Sequence, residues 1–312
     1  MKAVRIEKYG NNDVIQIKEI DKPRPAKGQV QIEVRASSIN PVDWKVMEGY
    51  MAQMFQMKLP MTLGLDVAGV VTETSKDVTH IKVGDKVYGQ AAVWGGGSGA
   101  LAEYATTPAG SVAKMPKNLN FAEAAAIVLT GVSAVQALIE NMKLKPKQKI
   151  LIHGGAGGIG TIAIQIAKNI GAYVTTTATG DGIKYVKQLG ADEVIDYKTQ
   201  AFEEKVSNYD AVYDTIGGET YNKSFKVLKK GGIIVSMLMP PDDKLMKQYG
   251  VTAIIQMTQV ATKFLDELTK LVESKVVKVH VEKTYPLSQI KEAFKAQQSG
   301  NVRGKVAVEI KK

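Results

Sequence analysis

Cysteine is absent from this sequence and histidine is scarce, with only His80, His153 and His280 present. The lack of cysteine excludes disulfide bonds, zinc sites with thiolate ligands and a cysteine nucleophile. The three histidines lie far apart and show no metal-ligand spacing, so a metal site would depend mainly on carboxylates. We therefore expect no bound metal.

Long hydrophobic runs are also absent, because no stretch of 18 consecutive apolar residues occurs. We therefore expect no membrane-spanning segment. Residues 1–8, MKAVRIEK, alternate apolar and charged side chains. This alternation is typical of a strand and differs from the apolar centre of a signal peptide. These features predict a soluble, cytoplasmic protein.

The formal charge of +10 raises the question of a polyanionic partner. Lysines are interleaved with aspartates and glutamates through most of the chain, and no block of five like charges occurs. We therefore expect a solvated basic surface that attracts nucleotides, and no nucleic-acid partner.

The length of 312 residues exceeds the usual size of a single hydrophobic core, which predicts two domains. The N-terminal part is rich in alternating and β-branched segments separated by turn residues such as Gly10-Asn11-Asn12-Asp13. Strands are predicted there at 2–7, 14–20, 29–38, 66–74, 86–90 and 101–106.

The pattern changes near residue 118, where one or two helices are predicted up to residue 142. Asn120 is a plausible N-cap, with Glu123 three residues later. Strands and helices then alternate, which predicts right-handed crossovers and a parallel sheet. The predicted strands are 149–153, 172–177, 193–195, 210–213, 232–237 and 251–256. The predicted helices between them are about 158–170, 182–189, 202–207 and 218–228.

After residue 257 the pattern predicts a helix (260–274), a strand (278–282), a helix (288–298) and a strand (304–310). We expect this last piece to return to the β-rich domain. The predicted domains are therefore residues 1–118 with 257–312, and residues 119–256. The fold class is α/β, with a β domain beside a doubly wound parallel sheet.

The most informative motif is KILIHGGAGGIG at 149–160. A short apolar strand leads into Gly155-x-Gly157-x-x-Gly160, and a helix follows, which is the context that a dinucleotide fingerprint needs. The first glycine is expected to permit the tight turn, the second to admit the pyrophosphate, and the third to allow close packing of helix on strand. The helix N-terminus then offers free N–H groups to the pyrophosphate.

The choice between NAD and NADP depends on the end of the second strand of that domain. NAD-binding chains usually place an acidic residue there, whereas this chain has Thr177 followed by Thr179. Their hydroxyls are candidates to bond a 2′-phosphate. Lys184 could supply a compensating charge or simply face solvent, and Asp181 argues for NAD.

Several segments together resemble the zinc-independent quinone oxidoreductases and alkenal (enone) reductases of the medium-chain dehydrogenase/reductase superfamily. The resemblance covers nearly the whole chain and rests on the order and spacing of motifs that are individually modest. These segments are SSINPVDWK at 37–45, LGLDVAGVV at 63–71, LGADEVIDY at 189–197, YDAVYDTIGG at 209–218, VLKKGG at 227–232 and RGKV at 303–306.

This resemblance implies a GroES-like β domain joined to a Rossmann domain, with NADPH as cofactor and a quinone or an α,β-unsaturated carbonyl as hydride acceptor. It also implies homodimers formed through Rossmann-domain strands. Zinc-dependent relatives have a cysteine and a histidine as ligands where this chain has Asn40 and Leu65. Leucine cannot bind zinc, so the resemblance supports zinc-independent chemistry.

The resemblance also implies roles for single residues. Tyr197 is expected beside the 2′-phosphate of NADPH, unless it only caps the sheet edge. Enone reductases often have a basic residue about where this chain has Gly182, and its absence weakens the NADP preference without reversing it. The other expected cofactor contacts are Lys45, Thr130, Gly158, Ile159 and Met237.

The residues that would contact the hydride acceptor are predicted as candidates with alternatives. Asn40, Asp43 and Tyr50 are the candidate catalytic residues, as a polar group, an orienting group and a proton donor respectively, although each has a structural alternative. Trp44 and Phe55 could form an apolar wall for a flat acceptor or merely pack. Two other functions stay open: an enoyl-thioester reductase, and a non-catalytic NADPH-binding protein of the crystallin-like or RNA-binding kind.

Overall fold

The computed structural model describes residues 1–55 and 57–311, and the chain divides into two units. One unit comprises Met1–Leu129, Val260–Glu273 and Val279–Lys312, and the other comprises Thr130–Gln259 and Ser274–Lys278. The first unit thus extends past the predicted boundary at 118. The change of pattern at 118 marks the approach to a helix, Phe121–Val135, which continues from one unit into the other.

The first unit contains two sheets. In the smaller sheet, β1 (Lys2–Ile6) pairs antiparallel with β2 (Gln16–Glu19) and β4 (Met61–Thr62). The larger, seven-stranded sheet has the order β15-β16-β3-β5-β6-β8, with β7 also paired to β3. Its strands are β3 (Gln29–Ile39), β5 (Asp66–Thr74), β6 (Lys86–Gln90), β7 (Tyr104–Pro108), β8 (Val112–Lys114), β15 (Val281–Pro286) and β16 (Lys305–Glu309).

Apolar residues at every second position of β3 form one buried face of the larger sheet. Val30, Ile32 and Val34 are fully buried and pack in one apolar cluster with Val67 and Val71 of β5. β16 pairs antiparallel with β3, so the C-terminal segment returns to the first unit as predicted. The helices of this unit are α1 (Pro41–Met47), α2 (Ala52–Phe55), the first part of α3 (Phe121–Val135), α9 (Thr262–Glu273) and α10 (Ile290–Gln298).

The second unit contains a six-stranded parallel sheet of order β11-β10-β9-β12-β13-β14. This 3-2-1-4-5-6 order is that of a doubly wound dinucleotide-binding sheet. The strands are β9 (Lys149–Ile152), β10 (Tyr173–Ala178), β11 (Glu193–Asp196), β12 (Tyr209–Asp214), β13 (Leu228–Ser236) and β14 (Thr252–Ile255). The helices are α4 (Gly158–Ile170), α5 (Asp181–Gln188), α6 (Phe202–Lys205), α7 (Gly218–Ser224) and α8 (Asp243–Tyr249).

Helix α3 continues as a π-helical segment, Gln136–Asn141. The predicted capping box is confirmed, because the Glu123 amide donates to Asn120 Oδ1 at 2.9 Å and the Asn120 amide donates to Glu123 Oε2 at 3.0 Å. Among the described residues, Phe121–Asn141 is the one helix long and apolar enough to cross a membrane. The helical structure predicted between residues 118 and 142 is present, but the sequence offered no candidate for a membrane span there, because polar residues interrupt its apolar residues. Within its most apolar 18-residue stretch, 78% is buried inside the protein, as in a core helix.

Candidate functional site

The glycine-rich loop joins β9 to α4 at the carboxyl edge of the parallel sheet. Gly154 is the residue that adopts a left-handed backbone, with φ of +72°. Its amide donates to Thr177 Oγ1 at 3.0 Å, and the Gly155 amide donates to the Thr177 carbonyl at 2.9 Å. The left-handed backbone of the tight turn is thus at Gly154, one residue before Gly155, to which the sequence assigned the turn.

The other glycines of the fingerprint have separate roles. A Cβ on Gly155 would lie 2.1 Å from Thr176 Oγ1, so Gly155 allows the loop to pass over β10. A Cβ on Gly160 would lie 2.2 Å from the Gly154 carbonyl oxygen, so Gly160 allows α4 to pack closely on the loop that follows β9, where the sequence predicted packing on the strand itself.

Gly157 differs, because a Cβ there would approach no chain atom closer than the Gly154 oxygen at 3.4 Å. Gly157 is the N-cap of α4 and has an extended backbone, with φ of −79°. Packing of the described chain therefore does not require glycine at this position. The first-turn amides of α4, beginning at Gly158 and Ile159, have no intrahelical acceptor and carry the positive end of the helix dipole. A diphosphate group fits this arrangement.

The predicted 2′-phosphate residues lie on two neighbouring strands. Thr177 and Ala178 of β10 pair in parallel register with Ile195 and Asp196 of β11. Thr179 and Tyr197 therefore follow adjacent strand ends. Tyr197 is 57% exposed and available to a ligand. Thr177, in contrast, is buried, and its hydroxyl oxygen already accepts the Gly154 amide.

Charges around these strand ends have both signs. Lys184 is exposed on α5 and lines an open depression of about 620 Å³ with Gly180 and Lys187. Asp181 is exposed at the start of α5, and the sequence reasoning missed Asp196 as a second carboxylate at this edge. Asp196 Oδ1 accepts the Lys198 amide at 3.1 Å. A Cβ on Gly182 would lie 3.1 Å from the Ala156 Cβ, so a basic side chain at this position would require Ala156 to shift.

Two further strand ends complete the carboxyl edge of the sheet. Met237 follows β13, is half-buried, and its sulfur accepts the Tyr213 hydroxyl at 3.3 Å. Asp214, at the end of β12, accepts the amides of Ile216 and Gly217 and the Ser236 hydroxyl. The sequence reasoning missed this carboxylate, although an aspartate directly before a Thr-Ile-Gly-Gly turn is a usable signal. Thr130, on α3, is 6% exposed.

The candidate residues Asn40 and Asp43 begin helix α1 in the first unit, and both are buried. The Asn40 amide donates to Asp43 Oδ2 at 2.7 Å, and Pro41 occupies the first helical position. Asn-Pro-x-Asp is therefore a helix start in this chain, which the sequence patterns did not predict. Among the described residues, Asp43 Oδ1 has no hydrogen-bond partner.

Asp66 and Lys305 complete this buried cluster, and the sequence reasoning assigned no role to either. Asp66 Oδ2 accepts Asn40 Nδ2 at 2.7 Å and the Ser38 hydroxyl at 2.6 Å. Burial raises the pKa of Asp43 to about 7 and raises that of Asp66, whereas the Lys305 charge opposes both shifts. Burial lowers the pKa of Lys305, against the charges of Asp66 and Asp43. Because three donors converge on Asp66, we assign the ionised form to Asp66. A pKa of about 7 means that Asp43 is partly protonated at neutral pH.

The remaining candidates of the first unit lie nearer the surface. Tyr50 is 72% exposed, and Lys45 is half-buried with its ammonium 5.6 Å from the Trp44 ring centroid. Phe55 stacks on Trp94, with ring centroids 4.9 Å apart, and Trp44 packs against the apolar core. Of the two alternatives given for Trp44, packing is thus the one observed, whereas Phe55 lies in an aromatic pair with Trp94.

The histidines have separate surroundings. His153 is buried with Nε2 2.9 Å from the Ser224 hydroxyl, His80 contacts the Ala109 carbonyl, and His280 contacts Glu282. Among residues 1–55 and 57–311, no cluster of three or more potential metal ligands occurs. Leu65, at a ligand position of the zinc-dependent relatives, is buried.

Comparison with known proteins identifies the family. Residues 26–117 match the alcohol dehydrogenase GroES-like domain, and residues 189–308 match the zinc-binding dehydrogenase domain. A chloroplast envelope quinone oxidoreductase homolog from Arabidopsis thaliana is 32% identical, over 99% of this chain and 98% of its own. The chain belongs to the quinone oxidoreductase family of the medium-chain dehydrogenase/reductase superfamily.

Two further quinone oxidoreductase relatives bear on the site. The NADPH-dependent alkenal/one oxidoreductase of Arabidopsis thaliana chloroplasts is 34% identical, over 99% of this chain and 79% of its own. The Escherichia coli quinone oxidoreductase, solved in complex with NADPH, superposes with a TM-score of 0.90 at 28% identity, covering 99% of this chain and 100% of the other. The GroES-like and Rossmann domains predicted from sequence are thus confirmed.

Proposed function

We propose that this quinone oxidoreductase family member is an NADPH-dependent enzyme that transfers hydride to quinones or α,β-unsaturated carbonyls. The observation that carries the proposal is Gly157, which caps α4 without a side chain although nothing in the described chain requires its absence. A glycine of this kind suits a ligand that approaches the backbone closely, as a dinucleotide pyrophosphate does.

The remaining residues fit the parts of NADPH in order. The first turn of α4 would bind the pyrophosphate through Gly158 and Ile159. Thr179, Lys184 and Tyr197 would surround the 2′-phosphate. Thr179 is half-buried directly after β10, Tyr197 is exposed directly after β11, and Lys184 is exposed on α5. Lys45, Thr130 and Met237 are proposed to contact the cofactor by family resemblance. NADPH supplies the hydride, and the chain supplies binding and orientation.

For the acceptor, we propose the Phe55–Trp94 pair as an aromatic surface. The two rings line a depression of about 390 Å³ together with Met57 and Arg5. Flat conjugated molecules suit such a stacking surface. Tyr50 is exposed and able to donate a proton, and water can serve equally. Asn40 acts indirectly in this proposal, because its side chain is buried and its amide nitrogen and oxygen both have hydrogen-bond partners inside the protein.

Zinc-independent chemistry belongs to the same proposal and rests on Leu65 and Asn40 at the ligand positions of zinc-dependent relatives. We also propose a cytoplasmic homodimer without nucleic-acid or membrane partners. Strand β14 ends the order of the parallel sheet and carries exposed Ile255, which gives an edge for pairing with a second copy. Light scattering that reports a monomer at micromolar concentration would count against the dimer.

A steady-state assay tests the function. NADPH and NADH are each offered with a benzoquinone, phenanthrenequinone and hexenal, with Gly157→Val as the control for cofactor-dependent turnover. Oxidation of NADPH by any acceptor supports the reductase, and the preferred acceptor divides quinone from enone chemistry. Tight NADPH binding without turnover would favour an enoyl-thioester reductase or a non-catalytic NADPH-binding protein instead.

A further inference from the structure

A buried lysine lies between two segments of the first unit that the reductase proposal uses. Lys305 Nζ donates to the Ile39 carbonyl at 2.8 Å and to Asn40 Oδ1, and lies 3.8 Å from Asp66 Oδ2. Its side chain is 7% exposed, and that of Asp66 is fully buried. A buried ion pair is often no more stabilising than apolar residues of the same shape. Stability therefore does not explain why Lys305 and Asp66 are buried together.

The first consequence concerns Asn40. Lys305 occupies the amide oxygen, and Asp66 Oδ2 accepts from the amide nitrogen at 2.7 Å. An ammonium group only donates and a carboxylate only accepts, so the two charges allow one orientation of the Asn40 side chain. Asn40 is the N-cap of α1, and its backbone amide is held by Asp43. The direction in which α1 leaves β3 is therefore set by these four residues.

The second consequence concerns helix α3. Asp66 Oδ1 accepts the backbone amide of Leu129 at 3.2 Å. One carboxylate thus joins the start of β5 to α1 through Asn40 and to α3 through Leu129. Asn40 and Asp43 lie five and two residues before Lys45 in the sequence, and Leu129 directly precedes Thr130. Lys45 and Thr130 are both proposed cofactor contacts.

We propose that Lys305 is a positioning residue for the reductase reaction. Its ammonium holds Asn40 and Asp66 so that α1, with Lys45, and the turn of α3 at Leu129 keep a single conformation. This inference rests on the proposed function. The competing explanation is that Lys305 only balances the charge of Asp66, in which case removing both charges together would have no effect on turnover.

The test compares Lys305→Met with the double variant Lys305→Met/Asp66→Asn. The single variant leaves Asp66 uncompensated and should lower both Tm and kcat. In the double variant the charges are balanced again, so Tm should recover much of the loss. The value of kcat should stay about tenfold or more below that of the wild type, because small displacements of positioning segments slow hydride transfer strongly. NADPH affinity, measured by fluorescence titration, should change less than kcat.

Tyr88→Phe is the matched control in the same unit. Tyr88 is buried, and its hydroxyl donates to the Leu265 carbonyl of α9 at 2.6 Å. This variant should lower Tm and leave kcat unchanged, which separates general destabilisation from loss of positioning.

Hydrogen exchange gives a readout that does not depend on turnover. In the double variant, amides of residues 38–47 and 124–131 should exchange faster than in the wild type, and in Tyr88→Phe they should not. If the double variant does not fold, the exchange rates of these amides are compared between Lys305→Met and the wild type instead. Wild-type kcat and exchange rates in the double variant would overturn the inference alone. A wild-type protein without turnover on any acceptor would overturn the proposed function and this inference together.

Discussion

Gly155 and Thr176 are in such close contact that a Cβ on the glycine would lie 2.1 Å from the threonine Oγ1. That hydroxyl donates to the Ile152 carbonyl at 2.7 Å, so it cannot move without breaking a buried hydrogen bond. Gly157, two residues later, has no comparable neighbour in the described chain. The two glycines of one motif therefore have different reasons to be glycine.

Gly155→Ala should destabilise the protein, because its methyl group must displace Thr176. A cost of about 1–3 kcal/mol is expected from overpacking of this kind. Gly157→Val should keep the free energy of unfolding within about 1 kcal/mol, since only a helix cap is altered, and should abolish NADPH binding. Urea unfolding and NADPH titration of both variants check this. Unchanged NADPH affinity in Gly157→Val would refute the proposed pyrophosphate site.

Tyr197→Phe should weaken NADPH binding more than NADH binding, because only NADPH has a 2′-phosphate to accept the phenol hydrogen bond. The loss should be about tenfold, as for one hydrogen bond to a charged group. Tyr173→Phe is the control, since Tyr173 is also exposed but begins β10 at the opposite edge of the sheet. Equal losses for both cofactors, measured by titration, would argue against a 2′-phosphate role.

Asp43→Asn should change how stability depends on pH. Burial raises the pKa of Asp43 from 3.8 to about 7, so between these values the folded state holds a proton that the unfolded state has released. The free energy of unfolding therefore falls as pH rises through this window. Asp66 strengthens the shift, whereas Lys305 and the Asn40 amide weaken it.

The variant keeps an acceptor for the Asn40 amide and has no carboxyl to titrate. It should be more stable than the wild type at pH 8, and the difference should shrink toward pH 4. Asp192→Asn should behave in the opposite way. Burial opposes ionisation of Asp192, but Lys168 and the Val174 amide hold its pKa below the ordinary value, so this variant should lose stability at neutral pH and not in acid. Denaturant titrations at pH 4, 6 and 8 measure both, and parallel curves for Asp43→Asn and wild type would contradict the assignment.

Incubation with a chelator should leave the rate of NADPH oxidation unchanged, because hydride transfer to a quinone or enone needs no metal-bound alkoxide in the proposed reaction. A zinc-dependent alcohol dehydrogenase assayed in parallel should lose activity. A large loss for this protein, restored by added zinc, would overturn the zinc-independent proposal.

Local patterns were sufficient to predict much of the second unit. The helix predicted at 158–170 is Gly158–Ile170, and the strands predicted at 149–153 and 172–177 are Lys149–Ile152 and Tyr173–Ala178. Glycines, apolar strands and a helical period are adjacent in the sequence here, so their meaning depends on few distant contacts. The same patterns did not predict α1, because Asn40 and Asp43 were considered as a polar group and an orienting group and not as the cap and first turn of a helix.

The sequence by itself determined the dinucleotide-binding architecture, the C-terminal return to the β-rich unit and the helix start at Asn120. These features follow from short-range periodicity, capping residues and glycine spacing. Tertiary structure alone decided that Gly155 is constrained by Thr176, that Phe55 stacks on Trp94, and that Lys305 is buried beside Asp66. Each of these depends on a residue from another strand, helix or loop. The spacing of residues along one segment carries no information about such a neighbour, which only the paired sheets and packed helices bring into contact.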